Sequence, residues 1–396
     1  MEIIKILNIK FRNINIFDGE VNFYFFTNDR VVENTGTYNI GGSINTNSII
    51  SMVGLNAVGK TSLLKIIDFI LGIVINNKSL NETNNLILAS SHDFEFDVVF
   101  YYKESYHKLS CFIEKRLNQN HPEFVYRNEF LRSINKSNIK SKVNLKEFIE
   151  ERLDESNSDV VRNNLDDSIT QLLKMDDSIV TLITKSVNLP LRQMIDNVNS
   201  NFLSVDNSVC SEVLNLFDSN IDYIKHENDD VDSNVVLKFK NSKDFYSSSN
   251  RNAWGEIISS GTIKGNSLVD MSLDVLKTGG YLIIDELENH FNKQLVKTFI
   301  DLFKDPLINN KGATIIFSTH YPELMDFMER LDNIYLLTRN ESNRAKLNLL
   351  SEYVKRNDIK KSDIILSNYI KGTSPSYKSV MTFKNYIKNE VINEQN

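Results

Sequence analysis

The octapeptide Gly54-Leu55-Asn56-Ala57-Val58-Gly59-Lys60-Thr61 constrains the fold more than any other segment, because the pattern G-x-x-x-x-G-K-[ST] works only where a strand hands over to a helix. The flanks supply both. Ile49-Ile50-Ser51-Met52-Val53 reads as a short buried strand, and the apolar spacing predicts a helix from Thr61 to Leu71 that stops at Gly72. A loop in this setting turns backbone N–H groups toward polyphosphate, uses glycine where a Cβ would block the approach, and adds the positive end of a helix. Gly54, Asn56, Gly59, Lys60, Thr61 and Ser62 are therefore candidate nucleotide-binding residues. Lys60 would bridge the β- and γ-phosphates of ATP, and the Thr61 hydroxyl would ligate Mg²⁺.

The rest of the chain supplies the context that such a loop needs. Ile3 to Phe11 and Val21 to Thr27 alternate as strands do, and a polar loop runs from there to about Ser48. Phe94 to Tyr102, Lys108 to Arg116 and Phe124 to Phe130 have the aromatic and β-branched enrichment of further strands. Between about Lys146 and His226 the apolar spacing turns helical, as in Ile179-Val180-Leu182-Ile183 and Val213-Leu214-Leu216-Phe217, with a break at Pro190. A strand at Val235 to Phe239, a helix from Gly261 to Leu276, and short buried strands at Tyr281 to Ile284 and Thr314 to Ser318 follow, with a helix between those last two. Ser374-Pro375 would open a final helix as N-cap and N1. The expected fold is α/β with a parallel sheet. Residues 1–145 would form a β-rich N-terminal lobe, 146–226 a helical insertion, 227–345 a C-terminal lobe and 346–396 a short helical tail.

Composition narrows the classes. With 41% hydrophobic residues over 396, the chain can bury a large core, and no apolar run is long enough to span a bilayer. Met1-Glu2-Ile3-Ile4-Lys5 lacks the plan of a signal peptide, so a cytoplasmic location without membrane contact is expected. Cys111 and Cys210 stand far apart, which indicates neither a disulfide framework nor a zinc site. A net charge of −7 does not suggest a surface built for nucleic acid, although Arg132, Lys136, Lys140, Lys142 and Lys146 form a local basic track. The acidic clusters Asp166-Asp167, Asp176-Asp177 and Asp229-Asp230-Val231-Asp232 read as solvated faces.

Three later segments complete a candidate site. Tyr281-Leu282-Ile283-Ile284-Asp285-Glu286 is an apolar strand ending in two carboxylates, and a parallel strand delivers its C-terminal end to the ligand crevice. Asp285 would hold the Mg²⁺ and Glu286 would polarise the attacking water. Glu288, Asn289 and His290 continue the turn and are assigned to its shape and to a subunit interface. Ser259-Ser260-Gly261-Thr262, ahead of a helix, offers a hydroxyl, an amide and a helix N-terminus to a γ-phosphate. Ser318-Thr319-His320 ends the next strand and places His320 as a candidate γ-phosphate contact.

Taken together, these motifs resemble the RecF, SMC and OLD branch of ABC ATPases. Ser259-Ser260-Gly261-Thr262 resembles the ABC signature in part, with Ile258, Ser260 and Thr262 replacing its Leu, first Gly and Gln. The resemblance implies an ABC-type P-loop ATPase domain that closes its catalytic site as a homodimer, one copy's Ser259 and Gly261 facing the other copy's Lys60. Within the branch, the insertion and the tail from Tyr369 to Tyr377 are similar to ATPase subunits of abortive-infection systems of the AbiL and PARIS type. Those imply a sensor or scaffold that controls a separately encoded effector in phage defence. About 75 residues follow His320, so a fused nuclease of the OLD kind is not expected. A RecF-like repair ATPase that clamps nucleic acid and a scaffold with negligible turnover are the alternatives, and the intact Asp285-Glu286 pair argues against the second.

Overall fold

Two six-stranded sheets enclose a helix, one built on long central strands and the other on short central strands that are almost wholly buried. The computed structural model describes the chain except residues 1–2, 33–34, 84–87, 89–92, 119–120, 188, 196–210, 229–232, 250–256, 290, 357–358, 376 and 394–396. Cys210, His290 and the cluster at 229–232 thus lie outside the described residues.

The first sheet is antiparallel. It runs β2 (Val21–Tyr24), β1 (Lys5–Arg12), β6 (Asp93–Tyr102), β7 (Ser105–Asn118), β8 (His121–Asn135) and β9 (Val160–Val161). The second has the order β10 (Leu191–Met194), β14 (Tyr281–Ile284), β15 (Thr314–Thr319), β5 (Ile49–Val53), β16 (Ile334–Arg339) and β17 (Ala345–Leu349), all parallel save β17. Helix α1 (Lys60–Asn76) lies between the sheets, and one apolar cluster joins it to both. On the other face of the parallel sheet, a second cluster takes in helix α3 (Ser260–Thr278) and helix α4 (Lys293–Lys304). Helix α2 (Lys142–Glu150) packs on the outer face of the antiparallel sheet. A three-stranded sheet of β11 (Ile221–Asn228), β12 (Ser233–Phe239) and β13 (Phe245–Ser248) stands before α3, and helix α5 (Tyr377–Asn393) ends the described chain.

Polar side chains tie the two large sheets together. Lys5, only 2% exposed, directs its ammonium at the carbonyls of Lys311 (2.8 Å), Gly312 (2.6 Å) and Gly279 (3.1 Å), the last being the C-cap of α3. The Tyr281 hydroxyl accepts from Ile6 N–H at 2.8 Å, and the Tyr335 hydroxyl accepts from Tyr24 N–H at 2.7 Å. Both tyrosines rise from the parallel sheet to strands of the antiparallel one.

Several expectations need correction. Gly72 does not stop α1. The helix continues to Asn76, and Asn77 in the left-handed conformation caps it. Ile73, Val74 and Ile75 are all fully buried. Three buried aliphatic side chains contribute about 1.5–3 kcal/mol each, more than the roughly 0.5–1 kcal/mol that a mid-helix glycine costs. Among the described residues, the stretch 146–226 is not predominantly helical. After α2, its described helices are a 3-10 turn at Arg162–Asn164, single α-turns at Asp167–Thr170 and Thr181–Thr184 and the seven-residue Ser211–Phe217, while Leu191–Met194 forms an edge strand of the parallel sheet. Gly280 permits that pairing, because a Cβ there would lie 2.2 Å from the Pro190 carbonyl. The polar loop up to Ser48 contains a hairpin, β3 (Thr37–Gly41) with β4 (Ile44–Asn47). Pro375 stands outside the last described helix, which runs Tyr377–Asn393.

Candidate active site

The phosphate loop leaves the C-terminal end of β5, between β15 and β16, and enters α1. Its path depends on two glycines. A Cβ at Gly54 would meet the Leu337 carbonyl at 2.4 Å, so close approach to β16 demands glycine there. Gly59 has φ +103° and caps α1 without a side-chain hydrogen bond, and no acidic residue stands in the first turn. The helix N-terminus therefore has neither a side-chain cap nor an acidic residue of its own first turn in front of its amides, which suits an anion site. Arg339, at the end of β16, donates from Nε to the Ala57 carbonyl at 2.9 Å and holds the crown of the loop.

The other strand ends meet the loop through side chains. The Thr61 hydroxyl donates to Asp285 Oδ2 at 2.6 Å, and Ser318 donates to the other oxygen of the same carboxylate. Ser318 Oγ also accepts the Glu286 N–H at 2.8 Å. Lys60 Nζ donates to the carbonyls of Gly54 (2.8 Å) and Leu55 (2.9 Å) and lies 3.2 Å from His320 Nδ1. An ammonium only donates, so Nδ1 accepts and His320 donates from Nε2 to Glu286 Oε1 at 2.9 Å. Asn289 holds the second oxygen of Glu286, and Glu288 Oε1 accepts the His320 N–H at 2.6 Å. Glu286 adopts φ +51°, a left-handed conformation that costs a non-glycine residue about 1 kcal/mol or more.

Burial pulls the Lys60 pKa below the usual lysine value, against the opposing pull of Asp285, Glu286 and Glu288. For Glu286, burial alone would raise the pKa. The hydrogen bonds from His320 and Asn289 outweigh it and hold the carboxyl below its usual range, so Glu286 is a carboxylate at neutral pH. These groups open on a cleft of about 610 Å³, lined by Asn56, Lys60, Thr61, Ser62, Glu286 and His320, with Ile16 and Arg339 at its rim. The donor set around Asp285 fits a hard cation. Thr61 Oγ1 and Asp285 supply oxygen ligands, and a Mg²⁺ site takes one or two such groups plus phosphate oxygens and water. Among the described residues no cluster of three or more His, Cys, Asp or Glu could hold a metal ion.

Gly54, Asn56, Gly59, Lys60, Thr61, Ser62, Asp285, Glu286 and His320 are thus brought to one place. Ser259 and Gly261 are not among the residues that line this cleft. Ser259 caps α3, its hydroxyl accepting the Thr262 N–H at 3.1 Å. Sequence reasoning assigned no chemistry to Ser318, Asn289 or Arg339. Ser318 and Arg339 sit at C-terminal ends of parallel strands, where any polar residue faces the crevice, and that position was the available signal.

Among the described residues no helix is long and apolar enough to cross a membrane. A comparison with curated proteins gives no match. Residues 49–326, more than half of the chain, match the family described as "AAA domain, putative AbiEii toxin, Type IV TA system". The matched span begins at β5 and contains the phosphate loop, Asp285, Glu286 and His320. The chain therefore belongs to this family of AAA-domain proteins and is a P-loop ATPase of the AAA/ABC-like type.

Proposed function

We propose that the chain binds ATP with Mg²⁺ and hydrolyses it in this cleft, as a homodimer in which each copy completes the other's site with Ser259 and Gly261, and that this cycle restrains and then releases a separately encoded effector in phage defence. The observation that carries the chemistry is the convergence of Thr61 with Asp285 and of Lys60 and His320 with Glu286. When bound, Mg²⁺ neutralises charge on the β- and γ-phosphates. The residues of the chain do the rest. Lys60 leaves two loop carbonyls for phosphate oxygens, which it contacts as a cation, and the amides of the loop and the first turn of α1 hold the polyphosphate in line. Glu286, kept as a carboxylate, orients and polarises the attacking water, while His320 reports the γ-phosphate through the same hydrogen bond that fixes Glu286.

The reading of a shared site is supported by Ser259 and Gly261 lying at a helix start that does not line the cleft of their own chain. The effector role rests on the family's link to abortive-infection toxins. No observation favours the alternative of a nucleic-acid clamp. Within the basic track, Arg132 pairs with Glu151, Lys136 with Glu104, and Lys142 holds the Asp29 carbonyl.

Mixing two variants tests the assembly. Lys60→Ala and Ser259→Arg chains should each be inactive alone. Each heterodimer carries both lesions in one site and none in the other, so an equal mixture should recover about a quarter of the wild-type rate if pairing is random. No recovery, with heterodimers demonstrated by mass spectrometry, would overturn independent shared sites.

A further inference from the structure

Two residues that line the cleft take no part in the contacts among Lys60, Thr61, Asp285, Glu286 and His320. They are Ile16, in the turn between β1 and β2, and Arg339, the last residue of β16. Ala345 joins them. Its N–H donates to the Ile16 carbonyl at 2.8 Å, and it stands opposite Arg339 in the β16–β17 ladder, so the Arg339 and Ala345 side chains share one face of that hairpin. That face meets the phosphate loop, because a Cβ at Gly59 would lie 3.2 Å from the Ala345 Cβ and 3.6 Å from Ile16 Cγ2. The Arg339 guanidinium is exposed and is held by its edge. Nε and Nη2 donate to the Ala57 carbonyl and Nη1 donates to that of Asn343. A planar group fixed in this way keeps its flat faces for stacking. Half-buried Ile16 adds aliphatic surface to the same cleft.

We propose that the flat face of Arg339, beside Ile16, is the nucleobase subsite of the cleft, a stacking surface that takes adenine and guanine alike. Guanidinium planes stack on bases, and stacking tolerates any base because each has a π face. Selectivity between purines needs donors and acceptors aimed at the base edge. A base lying on the guanidinium is out of the plane in which that group donates, and Ile16 has no side-chain polar atom. The purine is therefore held by its face and its edge is left unread. This subsite rests on the proposed binding of ATP in the cleft and adds that the cleft selects a purine nucleotide by ring and phosphates, not adenine by its amino group. Arg339 then has two tasks, holding the crown of the loop through Ala57 and supporting the base.

The test is calorimetry on the full chain with Mg²⁺, using ADP, GDP and inorganic tripolyphosphate, the last being a probe of the phosphate site without a base. ADP and GDP should bind within about tenfold of each other. A wider preference for either would show that the base edge is read and would overturn the proposal. Arg339→Ala should lower the ratio of ADP to tripolyphosphate affinity about tenfold, the scale of one lost stacking face. Arg339→Lys keeps a donor for the Ala57 carbonyl but has no plane, so it should lower the ratio as well. Damage to the loop alone weakens both probes together and leaves the ratio where it was. An unchanged ratio in either variant would therefore overturn the subsite, while tripolyphosphate binding would leave the phosphate site standing. Failure of the unaltered chain to bind any of the three would remove the nucleotide reading and the subsite with it.

Discussion

Lys5 and Lys60 both end on backbone carbonyls, yet they do opposite things. Lys5 sits on β1, and three carbonyls from two turns of the other sheet enclose its ammonium. Lys60 sits at the start of α1 on two carbonyls of its own loop, with a histidine ring and an open cleft beyond. Burial brings the Lys5 pKa to about 7 and lowers that of Lys60 as well, but only Lys60 has carboxylates nearby that pull back. The number of carbonyls around an ammonium therefore does not say whether it serves structure or chemistry. What separates the two is whether a better acceptor can reach it: nothing can reach Lys5, whereas phosphate can reach Lys60.

Three measurements sharpen or break that contrast. The largest effect is expected for Lys60→Met, which would remove the two charge-assisted phosphate contacts proposed for it, worth about 1.5–3 kcal/mol each, so ATP should bind about 10²–10⁴-fold more weakly by calorimetry. Its unfolding midpoint in urea should stay close to that of the wild type; a large loss of stability would mean that Lys60 is a second Lys5. Lys5→Met should do the reverse. Leaving three buried carbonyls without a donor, partly offset by no longer burying an ammonium, should cost about 2–4 kcal/mol of stability, while ATP affinity of the folded chain is unchanged. Weakened ATP binding at full occupancy of the folded state would end the contrast from the other side.

The smallest effect is a pH dependence. The folded pKa of Lys5, about 7, lies below the unfolded value of 10.5. Between those values the unfolded chain binds more protons, so the penalty for the buried ammonium, fully present below pH 7, shrinks as the pH rises through the window. From pH 7 to 8 the wild type should gain about 1 kcal/mol relative to Lys5→Met. A difference that stays flat over this range would mean that the three carbonyls keep the ammonium protonated.

The nucleotide half of the molecule is legible because its chemistry is local. The loop from Gly54 to Thr61, the Asp285-Glu286 strand end and the strand before His320 each announce themselves within a few residues, and β5 and β14 have the ends that the apolar runs predict. What fails depends on partners far along the chain. Leu191-Arg192-Gln193-Met194 has no strand pattern of its own and becomes one by pairing with Tyr281–Ile284, some ninety residues later. Gly72 looks like a stop until the buried side chains after it are counted, and Arg339 looks like a surface residue until β16 is seen to end beside the loop. Lys5 carried no signal at all, since a lone lysine in an alternating strand is ordinarily a solvated face.

The left-handed backbone at Glu286 has a consequence for how such a chain can change. Glycine or asparagine would relax that conformation, and neither carries the carboxylate that the proposed turnover needs. A population selected only for robustness to heat will drift toward those residues at position 286, gaining stability as it loses the proposed catalyst. A glutamate at this position is therefore held against the pull of folding stability by the turnover proposed for its carboxylate.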